Sequence, residues 1–224
     1  MKTRPILMSN DMVRSYLLGL KSETRRVMKK PPAYPGTSKF VFELHPFAPS
    51  SFEGTPAEGL NIAPERKVWS YEDWCGNLVG TYGDCPYGVV GDTLWVRENF
   101  ATVNGKTIYQ ADGKFDHGPR PFKWKPSIFM RPTESRITLK LTEISVERLA
   151  DITPEAAIAE GLDRVGAPGD WFYRDYCWKL KGGSAHYLAD PVESYRSLWR
   201  KINGPHSWEE NPWVWVLKFP AYGR

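Results

Sequence analysis

The apolar positions of this 224-residue chain change period several times. Pro5-Ile6-Leu7-Met8 is a short run that reads as a strand. Met12, Val13, Tyr16 and Leu17 then recur at helical spacing, with Ser9 or Asn10 as the cap and Gly19 as the end. Behind the turn Gly91-Asp92-Thr93, Leu94 and Val96 alternate with Trp95 and Arg97, the period of a strand. Thr107-Ile108-Tyr109 predicts another. From Ser135 to Arg148, alternation through Ile137, Leu139, Leu141, Ile144 and Val146 predicts one long bent strand or a pair. Thr153-Pro154 opens a helix that stops at Gly161. Asp190-Pro191-Val192-Glu193 is a capping box ahead of a further helix, with Val192, Tyr195, Leu198, Trp199 and Ile202 inward and Asn203-Gly204 at its end. Trp213 to Phe219 is a strand by period and residue type. Strands outnumber helices and lie far apart in sequence, which predicts an α+β domain around a curved or closed antiparallel sheet.

Two stretches break this pattern. Residues 31–90 are rich in Pro, Gly, Ser and aromatics and read as a binding insertion or lid, with a small hairpin around Val68–Trp69 and Leu78–Tyr82. Residues 163–189 form a second irregular insertion that carries Trp171, Phe172, Tyr173, Tyr176 and Trp178. The chain therefore reads as a single domain, 1–224, with two insertions.

Composition narrows the class. An apolar content of 41% with 14% aromatic residues supports a real core and argues against wholesale disorder. No apolar run is long enough to cross a membrane, and the N-terminal residues do not read as a secretory signal. Three cysteines, Cys75, Cys85 and Cys177, make an odd count with no close pair, which fits a reducing cytoplasm. The four histidines lie in separate loop-like regions without ligand spacing, so neither a metal nor another cofactor is expected. Charge is uneven: residues 1–30 carry eight basic and two acidic side chains, +6 against +4 for the whole chain. Such a segment attracts phosphates and anionic substrates, or is simply a charged end.

That basic segment contains the densest candidate chemistry, Gly19-Leu20-Lys21-Ser22-Glu23-Thr24-Arg25-Arg26. On a continuing helix Lys21 and Thr24 would share a face; if the chain turns, Gly19 is where it leaves. Either way an amine can sit beside a hydroxyl. A lysine with a lowered pKa can then activate a threonine nucleophile, and Arg25 and Arg26 are neighbours able to lower it. The same residues would also serve as a basic cap at the helix end. Ser22 is an alternative nucleophile, and Glu98 follows the Trp95-Val96-Arg97 strand, to face the same pocket or to pair with an arginine.

The order helix, Gly-x-Lys-x-x-Thr-x-Arg (Gly19, Lys21, Thr24, Arg26), Gly91-Asp92-Thr93-Leu94-Trp95-Val96, long strand, Ala157-Ile158-Ala159-Glu160-Gly161 and Asn211-Pro212-Trp213-Val214-Trp215-Val216 resembles the ASCH superfamily, in its larger phage and prophage branch. The resemblance spans most of the chain outside the insertions. It implies a PUA-like antiparallel β-barrel with flanking helices. Small bacterial members are amidohydrolases that remove the acyl group from N(4)-acetylcytidine. What this implies here is a metal-independent hydrolase for N(4)-acylated cytosine nucleosides or bases, with Thr24 as nucleophile, Lys21 as base and Glu160 as acid or base. Arg26, Ser22, Arg25 and Glu98 are then candidate substrate contacts. The chain is much longer than the compact amidohydrolases, so the insertions are where the pocket would differ. Other members have been proposed as RNA binders or ribonucleases. The alternative is thus a module for RNA or other single-stranded nucleic acid, using the basic segment and rings such as Trp69, Trp74, Trp124 and Trp171. A small-molecule nucleoside or base is the expected partner, with no membrane.

Overall fold

The computed structural model describes residues 2–29, 39–45, 66–72, 78–82, 85–113, 122–178 and 185–223. The chain divides into two compact units, residues 1–28 with 87–224, and residues 29–86. The first unit opens with strand β1 (Thr3–Leu7), helix α1 (Asn10–Leu17) and strand β2 (Glu23–Val27). Strands β3 (Lys39–His45), β4 (Arg66–Glu72) and β5 (Leu78–Tyr82) make up the second unit as an antiparallel meander. The expected hairpin is present there, extended by a third strand. The first unit resumes with β6 (Thr93–Arg97), β7 (Phe100–Val103), β8 (Lys106–Tyr109), β9 (Thr138–Lys140) and β10 (Glu143–Arg148). Helix α2 (Pro154–Ala159), strands β11 (Arg164–Ala167), β12 (Asp170–Arg174) and β13 (Tyr187–Leu188), helix α3 (Pro191–Asn203) and strand β14 (Trp213–Lys218) complete it.

The class is α+β, with several small sheets and few helices. Among the described residues pairing differs from an all-antiparallel expectation in one place: β1 runs parallel to β6, Ile6 beside Val96. The second insertion is not irregular as expected, because β11, β12 and β13 form their own antiparallel sheet. The stretch 135–148 is a pair of strands in two different sheets. The transfer falls at Leu141-Thr142: Leu141 N donates to Asp92 O in the β6 sheet, and Thr142 N to Lys218 O in the β14 sheet. Both central strands are covered on both faces, so alternation gives way to continuous apolar runs. Leu94, Trp95 and Val96 are all buried in β6, and Trp213 through Leu217 in β14. Full burial of one such side chain contributes roughly 1.5–3 kcal/mol.

The helices begin and end for local reasons. Ser9 Oγ accepts from Met12 N, and Gly19, at φ +70°, takes the left-handed turn that closes α1. Thr153 caps α2 through Ala156 N, with Pro154 in its first turn. Asp190 caps α3 through Val192 N. The buried face of α3 is Ser194, Tyr195, Ser197, Leu198 and Trp199, while Ile202, expected inward, is 55% exposed. Strand β2 lies at the edge of the β10-β14-β2 sheet. The end of α2 covers that edge where β2 begins: Ser22 N donates to Ala159 O, and Lys21 forms an isolated bridge with Glu160. Edge groups that would otherwise face outward are satisfied there, and this junction brings the candidate residues together.

Candidate active site

Lys21 is neither helical nor in a turn; it leads directly into β2, so the helical route to an amine–hydroxyl pair does not apply. Extended backbone sends alternate side chains to opposite faces. Glu23 and Arg25 point to one side and form an ion pair, Arg25 Nη2 to Glu23 Oε1 at 2.8 Å.

Lys21 is wholly buried, and its Nζ donates three hydrogen bonds of 2.7 Å, to Glu23 O, Glu160 O and Glu160 Oε2. Three acceptors match the three protons of an ammonium. The two oxygens of Glu160 are differently engaged. Oε2 faces Lys21, while Oε1 accepts from Arg25 N at 2.6 Å, Tyr195 Oη at 3.2 Å and, at the limit of bonding, Arg25 Nη1 at 3.4 Å. Arg25 also holds Glu147, Nε to Oε1 at 2.7 Å. Two cations and three carboxylates are thereby interlocked in a mostly buried cluster.

Electrostatics follow from this packing. Burial pushes the Lys21 ammonium below its ordinary pKa, with Glu160 opposing and Arg26 and Arg25 adding to the decrease. Burial pushes Glu160 up, but Lys21 and Arg25 outweigh it and its pKa is lowered. Glu23 is raised, chiefly by burial. The Tyr195 phenol is raised well above its usual value by burial and then by Glu160, so it stays a protonated donor.

Thr24 and Glu160 line one cavity of about 70 Å³, with Tyr195 and Arg26. Its apolar wall includes Met12, Leu198 and Trp199. Lys21 is not in that wall; it sits behind Glu160. Arg26 stands at the boundary with a wider groove of about 610 Å³, whose walls share Met12, Arg26, Ile202 and Asn203 with the cavity. Its guanidinium donates to Leu7 O and Arg25 O, fixing it across the ends of β1 and β2.

The other sequence candidates are placed as follows. Ser22 is half-buried and its backbone pairs with Ala159 and Phe219. Glu98 does not join the cluster. It forms a two-pronged ion pair with Arg136, at 2.9 and 3.0 Å, and Arg136 also grips Asp112 and lies over the Tyr109 ring. Burial raises the Glu98 pKa against the pull of Arg136. Trp124 packs edge-on against Phe122, and Trp171 lies under Arg164, neither lining the cavity. Trp69 is on β4 of the second unit, and Trp74 and Cys75 lie outside the described residues. Among the described residues no group of three His, Cys, Asp or Glu side chains converges to hold a metal ion. None of their helices is long and apolar enough to cross a membrane.

Sequence reading missed Tyr195, which looked like one more core position of α3. A buried phenol needs a partner for its hydroxyl, and that was the available signal. No protein-family description, curated protein or solved structure matches the chain.

Proposed function

We propose that the protein is a metal-independent amidohydrolase that removes the acyl group from the exocyclic amine of N(4)-acylated cytosine nucleosides or bases, on a PUA-like barrel of the ASCH type. The observation that carries this reading is that Glu160 meets Lys21 at 2.7 Å, 139 positions away in the chain, while Glu160 and Thr24 share one cavity. Direct passage of the chain from the β6 sheet into the β14 sheet at Leu141-Thr142 supports a curved arrangement of the two sheets.

The chemistry divides among three side chains. A proton moves from Lys21 Nζ to Glu160 Oε2 along their hydrogen bond, leaving an amine. That amine takes the Thr24 hydroxyl proton as Oγ1 attacks the acyl carbon, a step that requires Nζ to turn from its place behind Glu160 toward the cavity. The C–N bond then breaks, and protonated Glu160 gives its proton to the departing cytosine nitrogen. Water hydrolyses the acyl-threonine ester, and Thr24 recovers its proton. Burial favours the first step by weakening the hold of Lys21 on its proton. Met12, Leu198 and Trp199 give the acyl group an apolar wall, and the adjoining groove receives the base.

The test is direct. Purified protein should release cytidine from N(4)-acetylcytidine in the presence of a chelator, and Thr24→Ala should abolish release while the fold persists. Absence of turnover together with tight, salt-sensitive binding of single-stranded RNA would replace this reading by the nucleic-acid one.

A further inference from the structure

Resting on the amidohydrolase reading, we infer that Tyr195 is a positioning residue of the site: its hydroxyl, with Arg25, holds Glu160 Oε1 so that Oε2 is kept for Lys21. Nothing in the Lys-Thr-Glu set requires a tyrosine on α3. The geometry does. Tyr195 Oη donates to Glu160 Oε1 at 3.2 Å, and its side chain lines the cavity that Thr24 lines. The ring cannot drift, because it is packed against Trp199 and Trp208, each 6.2 Å away between centroids, and lies 6.0 Å from the Arg25 guanidinium carbon. The aromatic face of α3 therefore fixes the hydroxyl, and the hydroxyl fixes the carboxylate.

The consequence is a division of labour between the two oxygens. Among the described residues every donor on Oε1 comes from Arg25 or Tyr195, and the donor on Oε2 is Lys21. A carboxylate held at one oxygen cannot rotate to exchange its partners. The proton leaving Lys21 thus arrives at a defined atom. Donation from Tyr195 also stabilises the ionised carboxylate, so it helps set the pH below which Glu160 is protonated and the lysine loses its acceptor. The charged groups around Glu160 are Lys21, Arg25, Arg26 and Glu23 from the β2 segment and, through Arg25, Glu147 on β10. Tyr195 is the titratable contact from α3. Its phenol pKa lies well above the usual value, so it does not itself titrate in the working range.

The experiment uses the full chain carrying Tyr195→Phe, which keeps the ring and its packing. In kcat/KM for N(4)-acetylcytidine against pH, the acid limb should move up by about one pH unit, the scale of one hydrogen bond to a charged group. Incorporation of 3,5-difluorotyrosine at position 195, a stronger donor, should move the limb down. Carboxyl titration of Glu160 by carbon NMR, assigned with Glu160→Gln, should shift in the same directions without any substrate. A lowered plateau with the limb and the Glu160 midpoint both unmoved would overturn the assignment, since a merely structural wall gives that result. If the parent protein hydrolyses nothing, the amidohydrolase reading falls, while the NMR midpoint still decides whether Tyr195 tunes Glu160.

Discussion

Replacing Glu160 by Gln tests the buried cluster at its centre. The carboxylate offers acceptors on both sides, to Lys21 from Oε2 and to Arg25 N and Tyr195 Oη from Oε1. An amide offers one acceptor and one donor group. Whichever way it is turned, its NH2 faces another donor. Removing one member of a buried pair costs about 3–5 kcal/mol. The loss has a ceiling at neutral pH, because Lys21 can release its proton instead of remaining an unpaired charge. From an ordinary value of 10.5 to pH 7 that release costs about 5 kcal/mol, at 1.36 kcal/mol per unit. The melting temperature should therefore fall by roughly 6–20 °C for a chain of this size. Two pH signatures follow. The contribution of Glu160 to the parent is complete above its unfolded value near 4.5 and is lost as pH falls through its lowered native value. In the variant, unfolded Lys21 binds protons that the folded form sheds, so the deficit shrinks as pH rises toward 10.5. Urea denaturation from pH 3 to 10 measures both, and hydrogen exchange at the Arg25 amide reports the site itself. A loss under about 1 kcal/mol at pH 7, independent of pH and with that amide still protected, would falsify the account of the cluster.

Two further substitutions separate chemistry from packing. Lys21→Arg keeps the charge but cannot deprotonate at usable pH, so turnover of N(4)-acetylcytidine should drop by about a hundred- to ten-thousand-fold; retention of most activity would mean that Lys21 only supplies charge. Gly161→Ala should destabilise by about 2–5 kcal/mol in urea melts, because φ is +85° and a Cβ would lie 2.8 Å from both Lys21 Cβ and Ser15 Cβ. Gly19→Ala is the control, at φ +70° with Tyr222 O at an ordinary 3.4 Å from the added Cβ, and should cost only about 1–2 kcal/mol.

Local chemistry along the chain was enough to define the helix caps. Ser9, Thr153 and Asp190 are short oxygen-bearing side chains ahead of apolar helical spacing, and each accepts from a backbone N–H in the first turn. The aromatic strand before Phe219 was legible because a continuous apolar run of that length has few other uses. Lys21 and Thr24 stood out by residue type and spacing, but Glu160 could be singled out only through a resemblance in motif order, since a glutamate before a helix-ending glycine is ordinarily a surface residue. What tertiary structure alone decided is which groups meet. It made Lys21 a bridge residue leading into an edge strand rather than part of a helical turn, since the end of α2 supplies hydrogen-bond partners for Ser22 and Lys21. It set Lys21 behind Glu160 and out of the cavity wall, and it sent Glu98 to Arg136 instead. It also recruited Tyr195, Glu23 and Glu147, whose partners lie up to 122 residues away or depend on strand register. Periodicity records which face of an element is buried. The partner of a buried charge is chosen by the long-range pairing of elements, which no local pattern carries.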